Sequence, residues 1–260
     1  MPVTLTATEF EVAWETLRLG DLPLIFRVRV SRPGSTDEHR ALVVETAMDA
    51  LRGRGLAGAR GVSAGLADAL TLLANPLWVV DARLDLDRPV RAYGAAGHGD
   101  AAAIAALDGE TMTITSSSRY RLPADVAALA GDPPPGPGRS MNVPLEAMLE
   151  AGRRSGGDPH LLGDELVELG VPVGDARMIA KLGAELSGCG QFGVDVVDHD
   201  GGSRRAPRVI GFCDTPHGRW AQLRTVGADG QQWLTFTPAR LGRLASMIAE
   251  LLAESGVRAA

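Results

Sequence analysis

Lysine and cysteine are almost absent from this sequence. Lys181 is the one lysine among 26 basic residues, so arginine carries nearly all of the positive charge. The two cysteines, Cys189 and Cys213, stand too far apart for a CxxC metal or redox motif. They are also too few for a disulfide framework and read as reduced thiols. Apolar runs are short and broken by charges, which excludes a membrane-spanning helix. Met1 to Phe10 lacks the basic start and apolar core of a signal peptide, so the expected location is the cytoplasm. No basic stripe offsets the net charge of −6, which argues against a nucleic-acid partner.

Catalytic and cofactor signatures are missing too. There is no GxxxxGK[ST] phosphate loop, no GxSxG nucleophile turn and no HExxH pair. His39, His98, His160 and His199 are scattered, and Gly94–Gly99 (GAAGHG) misses GxGxxG. No cofactor or metal is therefore expected.

What is present is the balance of a globular protein: 45% hydrophobic and 22% charged residues over 260 positions. Thr8 and Glu11 have capping-box spacing, and Phe10, Trp14 and Leu17 recur at helical spacing. Leu24 to Val30 alternates as a strand, and Ser31–Asp37 (SRPGSTD) is a loop. His39 to Leu51 reads as a strand passing into a helix. Leu66, Leu70 and Leu73 mark another helix, stopped at Asn75-Pro76. Four strands follow, at Leu77–Leu86, Arg88–Ala95, Ala101–Leu107 and Thr111–Thr115, then a helix from about Pro123. Gly131–Arg139 (GDPPPGPGR) reads as a linker with little to pack.

The second part repeats this order. Helices are expected at Pro144–Arg154, Pro159–Leu169 and Gly174–Ser187. Strands follow at Phe192–Asp198, Arg208–Cys213, Arg219–Val226 and Gln231–Thr237. Pro238 then opens a helix with Leu241, Leu244, Ile248 and Leu251 on one face. Asp108-Gly109 before MTIT corresponds to Asp229-Gly230 before WLTFT. Duplication explains the echo, with halves of about 1–131 and 140–260 in one domain and a linker over 132–139. Any α+β protein rich in hairpins also shows such echoes.

Few side chains offer a site. Asp195, Asp198 and Asp200 lack the closing Glu of a calcium loop and read as a solvated hairpin. Asp214 and His217 form either a catalytic dyad or simple turn chemistry around Pro216. The hairpin Arg219–Val226/Gln231–Thr237 carries more information. A four-residue loop, Gly227–Gly230, places Leu223 by Leu234 and Ala221 by Phe236 on a core face. Trp220, Gln222, Arg224, Trp233 and Thr235 then share the opposite face. Two Trp with an Arg and amides make either an interface patch or a face that a helix of the same chain covers.

At these residues the sequence resembles the EspG family, the ESX type VII secretion-associated proteins of actinobacteria. The resemblance is carried by Gly190–Val194 (GQFGV), Arg204-Arg205 and Asp214–Trp220 (DTPHGRW). Arg54-Gly55-Leu56, Arg91–Gly94 (RAYG) and the proline before the last helix support it. It implies an α+β fold of two pseudo-symmetric halves around a central antiparallel sheet. It also implies a cytosolic chaperone that binds the PPE subunit of a PE–PPE heterodimer and keeps it soluble for export. No catalytic residue carries over. The implied client surface maps to Ser31–Asp37, with Arg32 and Ser35, to the Trp220/Trp233 face and to part of Pro238–Leu252. A small-molecule enzyme using Asp214 and His217 is the alternative, and a homologue that has lost its export client is a third reading. Monomer and homodimer both stay open.

Overall fold

Thr6 opens the first helix. Its hydroxyl accepts from the Glu9 N–H at 3.1 Å, and the Glu9 carboxylate accepts from the Thr6 N–H at 2.7 Å. This is a capping box, two residues before the expected Thr8/Glu11 pair. The shift arises because Val3–Thr6 is already a strand, so the cap must follow it directly. The computed structural model describes residues 2–26, 36–59, 61–198 and 202–257. Most of the expected strand Leu24–Val30 lies outside these residues, and its first part, 24–26, forms a turn.

The described strands are β1 (Val3–Thr6), the two-residue pair β2 (Ala57–Gly58) and β3 (Gly61–Val62), β4 (Trp78–Asp85), β5 (Pro89–Ala96), β6 (Ala101–Asp108) and β7 (Thr111–Ser118). The second part supplies β8 (Met141–Pro144), β9 (Gly188–Val197), β10 (Ser203–Arg205), β11 (Ile210–Thr215), β12 (Gly218–Val226) and β13 (Gln232–Pro238). The helices are α1 (Ala7–Thr16), α2 (Asp37–Gly53), α3 (Ala64–Ala74), α4 (Leu122–Ala128), α5 (Leu145–Arg154), α6 (Pro159–Glu168), α7 (Val173–Ala184) and α8 (Leu241–Glu254). His39–Leu51 is helical throughout, because Thr36 caps α2 through the His39 N–H and Asp37 and Glu38 sit in the first turn.

One antiparallel sheet holds all but β2 and β3. Its order is β1-β7-β6-β5-β4-β9-β11-β12-β13-β8, with β10 also on β9. The order is symmetric about the central pair. β4 and β9, the first strand of each meander, lie side by side with Asp81 opposite Gly193. The fourth strands, β7 and β13, each pair with a short outer strand, β1 or β8, that begins its half. The fold is therefore α+β with two pseudo-symmetric halves.

Strand alternation gives the sheet two different faces. On the first, Val80, Ala82, Leu84, Phe192, Val194, Ile210 and Phe212 pack against Leu122 and Val126 of α4 and Leu244, Ile248 and Leu251 of α8. Gly94 allows the close approach, since a Cβ there would lie 2.6 Å from Val126 Cγ2. On the second face, α1–α3 cover one end around Phe10, Trp14, Leu51 and Leu70. The helices α5–α7 cover the other end around Leu166, Ile179 and Trp220.

The halves are fastened through Arg219, which is fully buried. Its Nε and Nη2 each donate to the Asp214 carboxylate at 2.7 Å. Nη1 donates to Gly131 O at 2.9 Å and Nη2 to Ala130 O at 2.5 Å, at the end of α4. The guanidinium also lies 4.4 Å from the centre of the Phe212 ring. Segment 131–139 is thus a packed strap rather than a spare linker. Pro134 O accepts from the Arg219 N–H and Gly136 N–H donates to Arg219 O, both at 2.8 Å. Asp132 accepts from Leu241 N at the start of α8, and Arg139 pairs with Asp175 of α7. A Cβ at Gly136 would fall 1.9 Å from Trp220 Nε1.

Four outcomes are expected. Gly136→Ala should lower unfolding stability by about 1–3 kcal/mol, because buried Trp220 cannot step aside. Gly152→Ala in α5, where a Cβ meets open space, should instead raise it by about 0.5–1 kcal/mol. Arg219→Met should cost about 3–5 kcal/mol, since Asp214 loses its counter-charge in a mostly buried position. Arg219→Lys should recover only part of this, because an ammonium cannot fork between Asp214 and two carbonyls. Urea titrations followed by circular dichroism check all four.

Candidate binding surface

Among the described residues, the second face is bare in its middle. The α1–α3 block reaches inward to Tyr93 and Ala95 of β5. The α5–α7 block reaches Trp220 of β12 and the edge of Cys213. Between them β4, β9 and β11 present Asp81, Arg83, Asp85, Gln191, Asp195 and Cys213, with Arg91 and Gln222 on the flanking strands. Arg83 and Asp85 are exposed, and Arg91, Gln191 and Gln222 are half-buried. An open groove of about 290 Å³ lies here, lined by Arg83, Asp85, Arg91, Cys189, Gln191 and Gln222 among others.

A charged ladder organises one end of this strip. Arg205 of β10 lies across Gly193 and pairs with both Asp81 and Asp195. A Cβ at Gly193 would sit 1.9 Å from Arg205 Nη2, so glycine is what gives the guanidinium its bed. Burial pulls the Arg205 pKa down, but the hydrogen bond and charge of Asp81, then those of Asp195, outweigh it and the net shift is upward. Tyr93 stands opposite Asp81. Burial, then the Asp195 and Asp81 charges, push its phenol up to about 12, so it stays a neutral donor.

The expected interface patch is rearranged. Val226 pairs with Gln232, so the hairpin loop has five residues rather than four. Asp229 draws Gln231 into the turn by accepting its N–H at 3.0 Å, and Gly227 N–H donates to Gln231 O. Leu223 therefore faces Thr235 instead of Leu234, and Ala221 faces Thr237 instead of Phe236. A one-residue slip exchanges faces. Gln222 and Arg224 lie on the bare second face, while Trp233 and Thr235 lie on the first. Trp220 does share a face with Gln222, but it is only 1% exposed and belongs to the α5–α7 core. Trp233 is half-buried beside the Gly227 turn. Arg32 and Ser35 lie outside the described residues. Within Pro238–Leu252, Pro238 ends β13 and α8 turns Leu244, Met247, Ile248, Leu251 and Leu252 into the first-face core.

The Asp214/His217 dyad is not assembled. Both oxygens of Asp214 are engaged by Arg219. The His217 side chain is 54% exposed and its nearest charged partner is Glu185, at 3.6 Å. Thr215 closes the turn, accepting from the His217 N–H at 3.2 Å and donating to Gly218 O at 3.1 Å. Among the described residues no group of three or more His, Cys, Asp or Glu could hold a metal ion, and no helix is long and apolar enough to cross a membrane.

Residues that the sequence reading did not place on a surface include Arg83, Asp85 and Arg91. Their signal was the alternation of Asp81, Arg83 and Asp85 with Val80, Ala82 and Leu84. A polar row on a central strand means a central strand with one open face. Apolar exposure completes the surroundings. Leu149, Leu161, Val167, Val173 and Leu186, more than half of the exposed large apolar side chains among the described residues, belong to α5–α7 and the segment leading into β9.

The comparisons with known proteins agree with this architecture. No curated protein sequence matches the chain at a significant level. Among solved structures, the fold is similar to the Mycobacterium tuberculosis type VII secretion system chaperone EspG5, solved in complex with the PE25–PPE41 dimer. The TM-score is 0.75 at 20% identity, over 97% of this chain and 96% of that one. The sequence profile of the EspG family matches residues 6–250. A match over nearly the whole length means that this chain belongs to the EspG family.

Proposed function

We propose that this chain is a cytoplasmic chaperone for type VII secretion, acting by binding rather than by catalysis. Its client is the PPE subunit of a PE–PPE dimer, seated on the bare middle of the second sheet face. Family membership supports the role, and the relative EspG5, solved with a PE–PPE dimer, has the same fold. The observation that carries the location is the uncovered polar strip of β4 and β9 beside a helical block with exposed apolar side chains.

The chemistry suits a reversible carrier. Exposed apolar client surface aggregates unless it is covered. The α5–α7 block offers Leu149, Leu161 and Val173 for apolar contact, and the strip offers Arg83, Gln191, Gln222 and Arg224 for polar contact. Mixed surfaces of this kind hold a partner without the permanence of an apolar core. Arg32 and Ser35 stay in the proposal as a contribution from the first half. Trp220 acts from below, by holding the strap, and Trp233 and Thr235 fall outside the proposed surface.

Co-expression with a PE–PPE pair encoded beside this gene, followed by affinity purification and size-exclusion chromatography, tests the reading. A stoichiometric ternary complex is expected. Arg83→Glu combined with Gln222→Glu should weaken it at least tenfold, about 1.4 kcal/mol, with unchanged circular dichroism. Trp233→Asp should leave it intact. Loss with Trp233→Asp but not with the double variant would move the site to the first face. Failure of any such pair to associate would sink the carrier role.

A further inference from the structure

We propose that Cys189 and Cys213 are an oxidative modification site, a thiol pair that closes to an intrachain cross-strand disulfide. The sequence separates them, but the sheet sets them directly opposite each other in β9 and β11. Residues so opposed in an antiparallel pair have Cα atoms about 4.5–5.5 Å apart and side chains on the same face. A disulfide needs about 4.4–6.8 Å. Both thiols are free and half-buried. Cys189 lines the open groove, so a small molecule reaches it, whereas Cys213 sits behind it against the α5–α7 core. Gly188 and Gly190 flank Cys189, and Gly188 has no backbone atom within 3.4 Å of a would-be Cβ, so the strand can adjust at that side.

The co-reactant is a small-molecule disulfide. The Cys189 thiolate attacks one of its sulfurs and expels one thiolate, leaving a mixed disulfide. The Cys213 thiolate then attacks Cys189 Sγ and expels the second. The protein loses two electrons and two protons, and the small disulfide is reduced to two thiols. Burial first, then nearby carboxylates, raises both thiols. Asp85 and Asp214 act on Cys189, and Asp214 and Cys189 itself act on Cys213, which stands at about 11. The thiolate is the reactive form, so closure is slow at neutral pH and speeds up as the pH rises. The site responds to sustained oxidation rather than to a brief pulse.

The experiment uses the purified full chain with excess oxidised glutathione at pH 7, 8 and 9, quenched with acid. Intact mass should fall by about 2 Da as both free thiols disappear, and a non-reduced digest should link the peptides carrying Cys189 and Cys213. Cys213→Ser should instead accumulate a glutathione adduct on Cys189, because no second thiol can expel it. Circular dichroism on both proteins confirms that they are folded. The inference is overturned if wild type keeps a stable glutathione adduct, if it dimerises through Cys189, or if both thiols survive at pH 9.

Discussion

A guanidinium sealed inside the protein holds the two halves in register. Isolated, such a charge would be ruinous to bury. Arg219 avoids this because four of its N–H bonds are met by Asp214, Ala130 O and Gly131 O, with Phe212 beneath. Its position is also diagnostic. It stands on β12 of the second half and binds the carbonyl end of α4 from the first, where the helix dipole is negative. Through its own backbone it grips the strap at Pro134 and Gly136. One side chain therefore sets the helix end, the strap and β12 together. A buried ion pair often adds little net stability over apolar packing, but this one ties three separate segments to one side chain.

The residues that carry the family resemblance prove to be architectural. In GQFGV, Gly190 fits between Phe212 and Leu84, and Gly193 makes the bed for Arg205. In the arginine pair, Arg204 donates to Ser255 O at the end of α8 while Arg205 binds Asp81 and Asp195 across the central pair. In DTPHGRW, Asp214 and Arg219 form the buried pair. Gly218, at φ +124°, leaves room for Pro134 O. Arg54 binds Glu9 and Thr4 O, tying α2 to the first helix cap. These motifs identify a scaffold. Among them Gln191, Arg91 and the Arg205 ladder also reach the bare strip, while Asp214, Gly218, Arg219 and Arg54 serve the scaffold alone.

That division explains how much could be read from sequence. The meanders were legible because alternation and the Asp-Gly turns are local. α3 and α8 were legible through their apolar spacing. The outer strands β1 and β8 were not, since four residues give too short a period and both run straight into a helix. The strap looked empty because it carries no large apolar side chain, yet the missing side chain at Gly136 is what lets Trp220 lie against it. The interface patch failed on one residue. Nothing in the local composition shows that Asp229 draws Gln231 into the turn, and from that single hydrogen bond the faces of Trp220 and Trp233 separate.

The bare strip itself follows from topology. Ten strands at about 4.8 Å spacing make a sheet on the order of 45 Å wide. In each half the three-helix block is threaded between the outer strand and the central one, and its apolar side chains anchor over the outer strands. The single helices α4 and α8 follow the last meander strands and return over the centre of the first face, which they seal. Among the described residues, nothing in either half returns over the centre of the second. A sequence placing leucines on β4 and β9 there would expose an apolar floor and invite association. Arg83, Asp85, Gln191 and the Arg205 ladder keep that floor wet instead. Anything that covered this floor would have to replace water at several polar groups. The polar row on β4 and β9 is thus what lets so wide a sheet stand with part of one face open.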